Sequence, residues 1–303
     1  MPPNNRKQAM LPLGAEMLDN PIGTACGFAV DIDKARFFFT PGVPRELKRM
    51  LEEQIIPRLL AKVGRQTAIH LKRFHSYGLG ESHVDSLLSG IEALVPDGSV
   101  KLGFRAHYPQ LETKLAVRGT DMADVERKLA PVQAEVRKRI GNFILAEDDQ
   151  TLEGVVLAAL AEQHSTLALV EGFTGGQIAA RIAHLPGAEK ICRRGIVARD
   201  FGEIGISLGL ADPAIERAGE PGRLTREVAE AVAAAVRKRA GATHGLAVLV
   251  DLDAGADRID LGGTICLAIA TEQETASRRA RVHGGREWVR LGAVAMGLDC
   301  LRR

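Results

Sequence analysis

The chain has 303 residues and a formal net charge of +2, and 46% of its residues are hydrophobic while 26% are charged. That length is enough for about two domains that each bury a core, and the composition is ordinary for a globular protein. The near balance of basic and acidic residues, with one Trp and two Tyr, argues against a nucleic-acid-binding protein, which needs a basic surface or aromatic stacking platforms.

The first segment, residues 1–66, is rich in turns. A predicted strand runs through Pro41-Gly42-Val43-Pro44 into a predicted helix, which is typical of ligand-binding loops at the carboxyl edge of an open α/β sheet. Ordinary turns have the same composition, so both interpretations stay open from these residues alone. We predict helices over residues 4–10 and 46–60 and strands over residues 28–32 and 36–40.

Residues 67–145 have the pattern of a small α+β unit with a mostly antiparallel sheet. The acidic run Glu147-Asp148-Asp149 that follows resembles a linker in front of a capped helix. Acids near a helix N-terminus are favoured by the helix macrodipole, so a metal site is not needed to explain them. We predict strands over residues 67–73, 100–107 and 112–118 and helices over residues 83–94, 122–140 and 151–162.

From residue 166 onward, strands and helices alternate as in an α/β domain. The predicted helix of residues 225–240 begins with Thr225 and Glu227, a hydroxyl cap followed by an early acid. We predict strands over residues 167–170, 195–198, 245–250, 264–270 and 275–283 and helices over residues 177–183, 225–240 and 286–301.

The glycine-rich run Glu171-Gly172-Phe173-Thr174-Gly175-Gly176 joins a buried strand to a helix. The first N–H groups of a helix have no partner inside the helix, and the macrodipole adds positive potential at the same end. We therefore expect the free N–H groups to point into this loop and to favour an anionic ligand group. It is the best candidate site in the chain.

The sequence also excludes several other classes of protein. No uninterrupted apolar run reaches the roughly 18 residues that span a bilayer, and the N-terminus lacks the apolar region of a signal peptide. We expect a cytoplasmic protein with no membrane partner. The four cysteines are far apart in the sequence, without a Cys-x-x-Cys pair, so we expect reduced thiols and no zinc site. They are Cys26, Cys192, Cys266 and Cys300.

Motifs in three parts of the chain occur in the order that one known family has. They are the glycine loop with the turn Leu185-Pro186-Gly187-Ala188, the segment from Gly78-Leu79-Gly80-Glu81-Ser82 to Arg118, and the runs Asn5-Arg6-Lys7-Gln8-Ala9, Asn20-Pro21-x-Gly23-Thr24-Ala25 and Pro41-Gly42-Val43-Pro44-x-Glu46. Together they resemble the CinA family, named for competence/damage-inducible protein A, over essentially the whole chain.

The resemblance implies an α/β fold in three parts. Residues 1–66 would be the C-terminal half of a molybdopterin-binding-like α/β domain, residues 67–145 a small KH-like α+β segment, and residues 146–303 a C-terminal α/β nicotinamide-nucleotide amidase-like domain. It also implies ligand-binding residues, for which a nucleotide-like small molecule is the expected partner. These are Asn5, Gln8, Gly23, Thr24, Gly42, Pro44 and Glu46 in the first part and Thr174, Gly175, Gly176 and Arg286 in the last.

The chain departs from the family at its beginning. Full-length relatives start with a further half-domain that carries a Gly-Gly-Leu-Gly-Pro-Thr loop and adjacent aspartates, associated with metal-dependent ADP-ribose pyrophosphatase activity. We expect no cofactor here, and a divalent metal only where that half is present. A half-sheet without its first strands should expose apolar edges. We interpret the sequence as a fragment, a mis-started gene product or a remnant covered by a partner.

The chain also departs from the family at the amidase site. The nucleophilic Ser of the family corresponds to Gly172, the residues of its Tyr-x-x-x-x-Lys motif to Arg199 and Ile204, and its hydroxyl-bearing Thr to Asp251. A Ser nucleophile needs a neighbouring base, and the new carboxylate would repel a substrate phosphate. The sequence therefore predicts no catalytic residues at the family's amidase site.

We favour a catalytically degenerate member that keeps a nucleotide-sized pocket for binding or as a scaffold and that forms homo-oligomers. An active hydrolase is the alternative. It would act on a pyridine nucleotide with Ser165 or Ser207 as nucleophile, or on a different substrate with a metal held by aspartates. Nucleic-acid binding through the KH-like segment is disfavoured because Glu81 is unfavourable beside phosphate. The aspartates in question are Asp200, Asp251 and Asp253.

Overall fold

The strands form three separate sheets in a computed structural model, which describes residues 10–63, 67–254 and 260–303. The chain divides into two units, Met1–Ala68 and Ile69–Arg303. The helix predicted over residues 4–10 and the candidate ligand residues Asn5 and Gln8 lie outside the described residues. Within the described ranges, no helix is both long and apolar enough to cross a membrane.

The first unit contains a three-stranded antiparallel sheet and a helical segment. The two predicted strands are confirmed, but the sheet of the described residues is antiparallel throughout, so the loop at Gly42 does not follow a parallel strand. The helix begins at Pro44 rather than at Glu46, because proline is well accommodated at the first helical position. The elements are β1 (Glu16–Leu18), β2 (Gly27–Ile32), β3 (Ala35–Phe39), α1 (Pro44–Met50), a π-helical turn (Leu51–Ile55) and α2 (Ile56–Val63).

The core of this unit is small. Leu18, Met50 and Ile55 are buried together with part of Phe38. By contrast, Phe37 and Phe39, on the other face of β3, remain 44% and 46% exposed. Two large aromatic side chains on this face of β3 are therefore accessible to water.

The second unit begins with a four-stranded sheet in the order β5-β6-β4-β7. The helix predicted over residues 83–94 is interrupted, because Gly90 is left-handed with φ of 76°. A short α-helix and a 3₁₀ turn (Ile91–Leu94) take its place. The elements are β4 (Ala68–Tyr77), α3 (Glu81–Leu87), β5 (Val100–His107), β6 (Gln110–Gly119), α4 (Met122–Ile140) and β7 (Ile144–Glu147).

The acidic run at residues 147–149 begins in this sheet at Glu147 and continues in a turn that leads to the next helix, which Thr151 caps as predicted. Glu147 ends β7 and pairs with Phe74 of β4. Lys72 reaches Glu147 and Asp148, with its Nζ 2.6 Å from a carboxylate oxygen of each. The carboxylates compensate the charge of a lysine side chain that is only 10% exposed.

The third sheet has the order β12-β11-β10-β8-β9. Strands β8, β9 and β10 are parallel, whereas β11 and β12 are antiparallel to their neighbours. Its elements, in chain order, are α5 (Leu152–Glu162), β8 (Leu167–Glu171), α6 (Gln177–Ala183), α7 (Ala188–Ile191), β9 (Cys192–Val197), α8 (Phe201–Leu208), α9 (Pro213–Arg217), α10 (Arg226–Ala240), β10 (His244–Leu252), β11 (Gly262–Ala270), β12 (Thr275–His283) and α11 (Gly285–Arg302).

Helices cover both faces of this sheet, which explains the apolar runs in its central strands. One core lies between the sheet and α5, α6 and α11, and a second core lies between the sheet and α8, α9 and α10. The predicted cap at Thr225 is confirmed, since its hydroxyl accepts a hydrogen bond from Val228 N. The short helices α7, α8 and α9 were not predicted.

An aromatic contact joins two parts of the second unit. The Tyr108 ring, in the turn between β5 and β6, lies 3.7 Å from the Trp288 ring between centroids. The Tyr108 hydroxyl also donates a hydrogen bond to the Trp288 carbonyl oxygen on α11, at 3.0 Å. The tip of the hairpin is thereby packed on the helix that covers the third sheet.

Strand β10 approaches helix α10 so closely that only glycine fits at residue 245. A Cβ on Gly245 would lie 2.1 Å from the Ala233 carbonyl oxygen and 2.7 Å from the Arg237 Cβ. We expect Gly245→Ala to lower the free energy of unfolding by about 1–3 kcal/mol, because the helix must move away from the sheet. Denaturant titration followed by the fluorescence of Trp288 measures this effect.

Gly103→Ala in β5 is the matched control, because no heavy atom lies within 4 Å of the position of its Cβ. The control should unfold at the denaturant concentration of the unchanged protein. Equal shifts for the two variants would contradict the close approach of β10 and α10.

Candidate functional site

A cavity of about 240 Å³ lies at the carboxyl edge of the third sheet. Parallel strands end at the same edge, so the residues after β8 and β9 and at the end of β10 meet there. The ionisable side chains of the lining are those of Arg199, Asp200 and Asp251. The lining is completed by Gly172, Phe173, Phe201, Ala218, Gly219, Pro221, Val250 and Leu252.

Arg199 is the cation of this lining, and it stacks on an aromatic ring. Its guanidinium carbon lies 4.7 Å from the centroid of Phe173, which is 9% exposed. Such a cation–π contact fixes the orientation of the guanidinium without neutralising its charge. Arg199 can therefore contact an anionic or hydrogen-bond-accepting group of a ligand.

Two carboxylates line the same cavity, each with one oxygen bound to the backbone. Asp200 Oδ1 accepts from Glu203 N at 2.9 Å and caps α8. Asp251 Oδ2 accepts from Gly222 N at 2.6 Å. The carboxylates thus have fixed positions at the two sides of the cavity.

Asp253 follows the last residue of β10, Leu252, and does not line this cavity. Its Oδ2 accepts from Gly262 N at 2.8 Å and pairs with Arg281 at 2.5 Å. The hydrogen bond from Arg281 holds the pKa of Asp253 below its ordinary value. The structure separates the predicted pair Asp251 and Asp253.

Gly172 lies in the lining directly after β8, and Leu249 of β10 is close to it on one side. Its N–H donates to the Val248 carbonyl oxygen at 2.8 Å. A Cβ on Gly172 would lie 3.2 Å from Leu249 Cδ2 and 3.3 Å from Leu249 Cα. A larger side chain at residue 172 would therefore push against the neighbouring strand.

Backbone N–H groups at the N-terminus of α6, which the sequence predicts to bind an external anion, already donate to a side chain of the protein. The carboxylate of Glu171, which is fully buried, accepts from Ile178 N at 3.0 Å and from Ala179 N at 2.9 Å. The Thr174 hydroxyl donates a third hydrogen bond to it. The prediction that free N–H groups of α6 point into the loop is wrong, because these groups already bind the protein's own carboxylate.

The residues implied as ligand-binding in this domain do not line this cavity. Thr174 is fully buried and bonded to Glu171. Gly175 and Gly176 form the left-handed turn before α6, with φ of 69° and 81°. Arg286 lies exposed at the start of α11 and does not line the cavity.

The first unit does bring its two predicted loops together. Asn20 Nδ2 donates to the Ala25 carbonyl oxygen at 2.7 Å and to Glu46 Oε2 at 2.8 Å. A Cβ on Gly23 would lie 2.4 Å from both Asn20 Nδ2 and Glu46 Oε2. Asn20, which was not among the predicted ligand residues, thus connects these loops.

The other predicted residues of these loops lie at the surface. Thr24, Gly42 and Pro44 are exposed, and Pro44 begins α1. That these residues contact a ligand remains a prediction.

The alternative nucleophiles lie away from the cavity. Ser165 precedes β8 and is therefore at the opposite, amino edge of the sheet. Ser207 is exposed on α8. In the described parts of the chain, no three His, Cys, Asp or Glu side chains cluster in a way that would hold a metal ion.

Two cysteines have thiols that stay protonated at neutral pH. Burial raises the pKa of Cys266 and that of Cys300 to about 11. A thiol is nucleophilic only as the thiolate. Neither cysteine therefore supplies the nucleophile that Gly172 lacks.

Comparison with known proteins gives matches along most of the chain. The family model of the CinA C-terminal domain matches residues 149–303, and that of the damage-inducible protein CinA KH domain matches residues 71–146. The CinA-like protein of Geotalea uraniireducens (strain Rf4) is 34% identical over 99% of this chain and 71% of its own length. That of Shewanella sediminis (strain HAW-EB3) is 34% identical over 100% of this chain and 70% of its own length.

A solved structure of a competence or damage-inducible protein from Enterobacter asburiae is also similar. It is 23% identical, covers 51% of this chain and 98% of its own, and superimposes with a TM-score of 0.44.

The buried carboxylate of Glu171 gives a direct test of the loop geometry. We expect Glu171→Gln to lower the free energy of unfolding by roughly 1.5–3 kcal/mol, because the amide group turns a donor toward N–H groups that need an acceptor. Thermal or denaturant unfolding measures the loss. Glu189→Gln, at an exposed position, should leave stability unchanged, and an unchanged midpoint for Glu171→Gln would contradict the assigned hydrogen bonds.

Proposed function

The chain belongs to the CinA family, as its motifs indicated, and from this premise we propose that its amidase-like domain binds a nucleotide-like ligand or serves as a scaffold without hydrolysing an amide. The resemblance assigns the nucleophile of the family to the position of Gly172. The cavity beside Gly172 is the place where binding and chemistry would meet.

The observation that carries the proposal is the glycine at residue 172 in the lining of the cavity. The residue has no side chain to attack a carbonyl, and Leu249 lies 3.2 Å from where a Cβ would be. Amide hydrolysis through a covalent intermediate needs a nucleophile within reach of a base. None of the described residues that line the cavity is a Ser, Thr, Cys, Lys or His.

The base position supports the same conclusion. Ile204, at the position of the family's Lys, is fully buried and packs in the core between α8 and the sheet. An apolar side chain cannot take a proton from a nucleophile, and its burial leaves no room for a charged replacement without a partner. Losses of nucleophile and base together leave only binding interactions.

The cavity has the character of a small binding site. Its volume of about 240 Å³ is below the roughly 300–1,000 Å³ of typical ligand pockets, so it would enclose part of a nucleotide. Arg199 would contact the phosphate or an oxygen of the ring amide, and the carboxylates of Asp200 and Asp251 would accept hydrogen bonds from ribose hydroxyls.

We expect purified protein to release no nicotinic acid mononucleotide from nicotinamide mononucleotide above a heat-killed control. Gly172→Ser should also be inactive, because Ile204 and Asp251 still stand at the positions of the family's base and hydroxyl. Gly172→Ser combined with Leu249→Val makes room for the new hydroxyl and should be inactive too. Chromatographic separation of the amide and the acid measures the reaction.

Titration calorimetry with the same nucleotide reports on binding independently of turnover. Heat of binding that is lost in Arg199→Gln supports a binding role, whereas the absence of heat favours a scaffold. Deamidation by the unchanged protein, or by Gly172→Ser alone, would overturn the proposal.

A metal-dependent hydrolase is the second candidate, because Asp200 and Asp251 line one cavity. Two carboxylates with oxygens directed into a cavity are a common way to hold Mg²⁺ or Mn²⁺. The chemistry would be hydrolysis by a metal-activated water.

For this candidate, calorimetric titration with Mg²⁺ or Mn²⁺ should give heat that Asp251→Asn removes. Asp253→Asn is the matched control, since that carboxylate is bonded to Gly262 and Arg281 outside the cavity. Absence of heat with the unchanged protein, or equal heat from all three proteins, would exclude a metal site at Asp251.

A further inference from the structure

A larger cavity, of about 640 Å³, lies at the opposite edge of the third sheet from Gly172. It is formed by the C-terminal end of α5, the turn between α6 and α7, and the residues that lead into β8 and β9. Its volume is within the range of pockets that enclose a small organic molecule. No step of the proposed function uses it.

The floor and walls of this cavity are aliphatic. Leu157 and Ile191 are 7% and 6% exposed at its base. Ala158 and Ala161, three residues apart on α5, present one small-residue face to the cavity. Leu185 and Pro186 form the facing wall. Such a lining removes the apolar body of a ligand from water.

The charged groups that line the cavity are all basic. Lys190 and Arg193 are exposed at its rim, and within the described residues neither has an ion-pair partner. His164 is the third basic side chain of the lining. Glu162 and Glu189 are neighbours in sequence but do not line the cavity. The rim therefore presents positive potential that no carboxylate of the lining offsets.

Two hydroxyl side chains line the cavity, and one of them, that of Thr166, already accepts a hydrogen bond from Thr243 N. Ser165 is 8% exposed, and its Oγ donates a long hydrogen bond of 3.4 Å to the Gln163 carbonyl oxygen. A hydroxyl oxygen keeps acceptor capacity after donating, and its hydrogen can turn to a better acceptor. A ligand oxygen at the rim would be such an acceptor.

We infer that this cavity binds a small amphipathic anion: a carboxylate on an aliphatic chain of medium length, with the chain on the floor of Leu157 and Ile191 and the head group between Lys190 and Arg193. The aliphatic lining selects the body of the ligand, and the basic rim selects the charge of its head. This site is separate from the proposed amidase-like site, so either can fail without the other.

Octanoate and octanol test the inference, because they share a chain and differ in the head group. Titration calorimetry on the full chain should show octanoate binding more tightly than octanol. In Lys190→Gln/Arg193→Gln, octanoate affinity should fall about tenfold, the effect of two partly screened charge contacts, while octanol affinity stays unchanged. Added salt should weaken octanoate binding alone.

Two further variants locate the site. Ala161→Trp fills the cavity and should abolish binding of both probes. Arg105→Gln/Lys138→Gln removes the same net charge from exposed residues outside the cavity and should bind octanoate as the unchanged protein does.

Octanol binding also reports on folding. A misfolded rim variant is recognised because it binds neither octanoate nor octanol and has a changed circular dichroism spectrum. In that case Lys190→Met and Arg193→Met, tested singly, take its place. Equal affinities of the unchanged protein for octanoate and octanol, or octanoate binding that survives both the rim variants and Ala161→Trp, would overturn the inference.

Discussion

The geometry of the candidate site depends on one buried carboxylate. Glu171 ends β8 with no exposure to water, and burial of an ionised group is tolerated only when its oxygens are bonded. The N–H groups of Ile178 and Ala179 and the hydroxyl of Thr174 supply these bonds. The carboxylate thereby ties the strand, the loop and the start of α6 into one unit, and this tie makes no use of a side chain at Gly172. The hydrogen bonds that hold the loop therefore do not depend on the identity of residue 172.

The two edges of the third sheet differ in chemistry because different structures meet at each. The carboxyl edge joins Asp200 and Asp251 with a single stacked guanidinium, so its cavity suits hydroxyl groups and one anionic contact. The amino edge joins a helix C-terminus to a turn and carries Lys190 and Arg193 over an aliphatic floor. A ligand that suits one edge is poorly matched to the other, so occupation of one cavity need not compete with occupation of the other.

Periodicity in the sequence predicts most of the long elements, since α4 begins and ends where its apolar stripe does and β8, β10 and β11 appear as apolar runs. Short helices such as α8 have too few residues to display a period. The sequence predicts the position of the glycine loop, but not that the donors of its helix are already bonded. A sequence pattern shows that a helix end has donors, whereas the acceptor, Glu171, is recognised only once the loop closes back on α6. Strand alternation would place Asp253 on the same side as Asp251, so its absence from the cavity and its pairing with Arg281 depend on the end of β10 and on the register of β11 and β12.

The packing of Leu249 against Gly172 has a consequence for the order of mutations. A side chain introduced at residue 172 is accommodated more easily when residue 249 is smaller than leucine. A smaller residue 249 beside Gly172 leaves a void. Because the two residues are in contact, the effects of changes at residues 172 and 249 are expected to be non-additive. The effect of a substitution at residue 172 therefore depends on the residue at position 249, and neither position can be judged from its own identity alone.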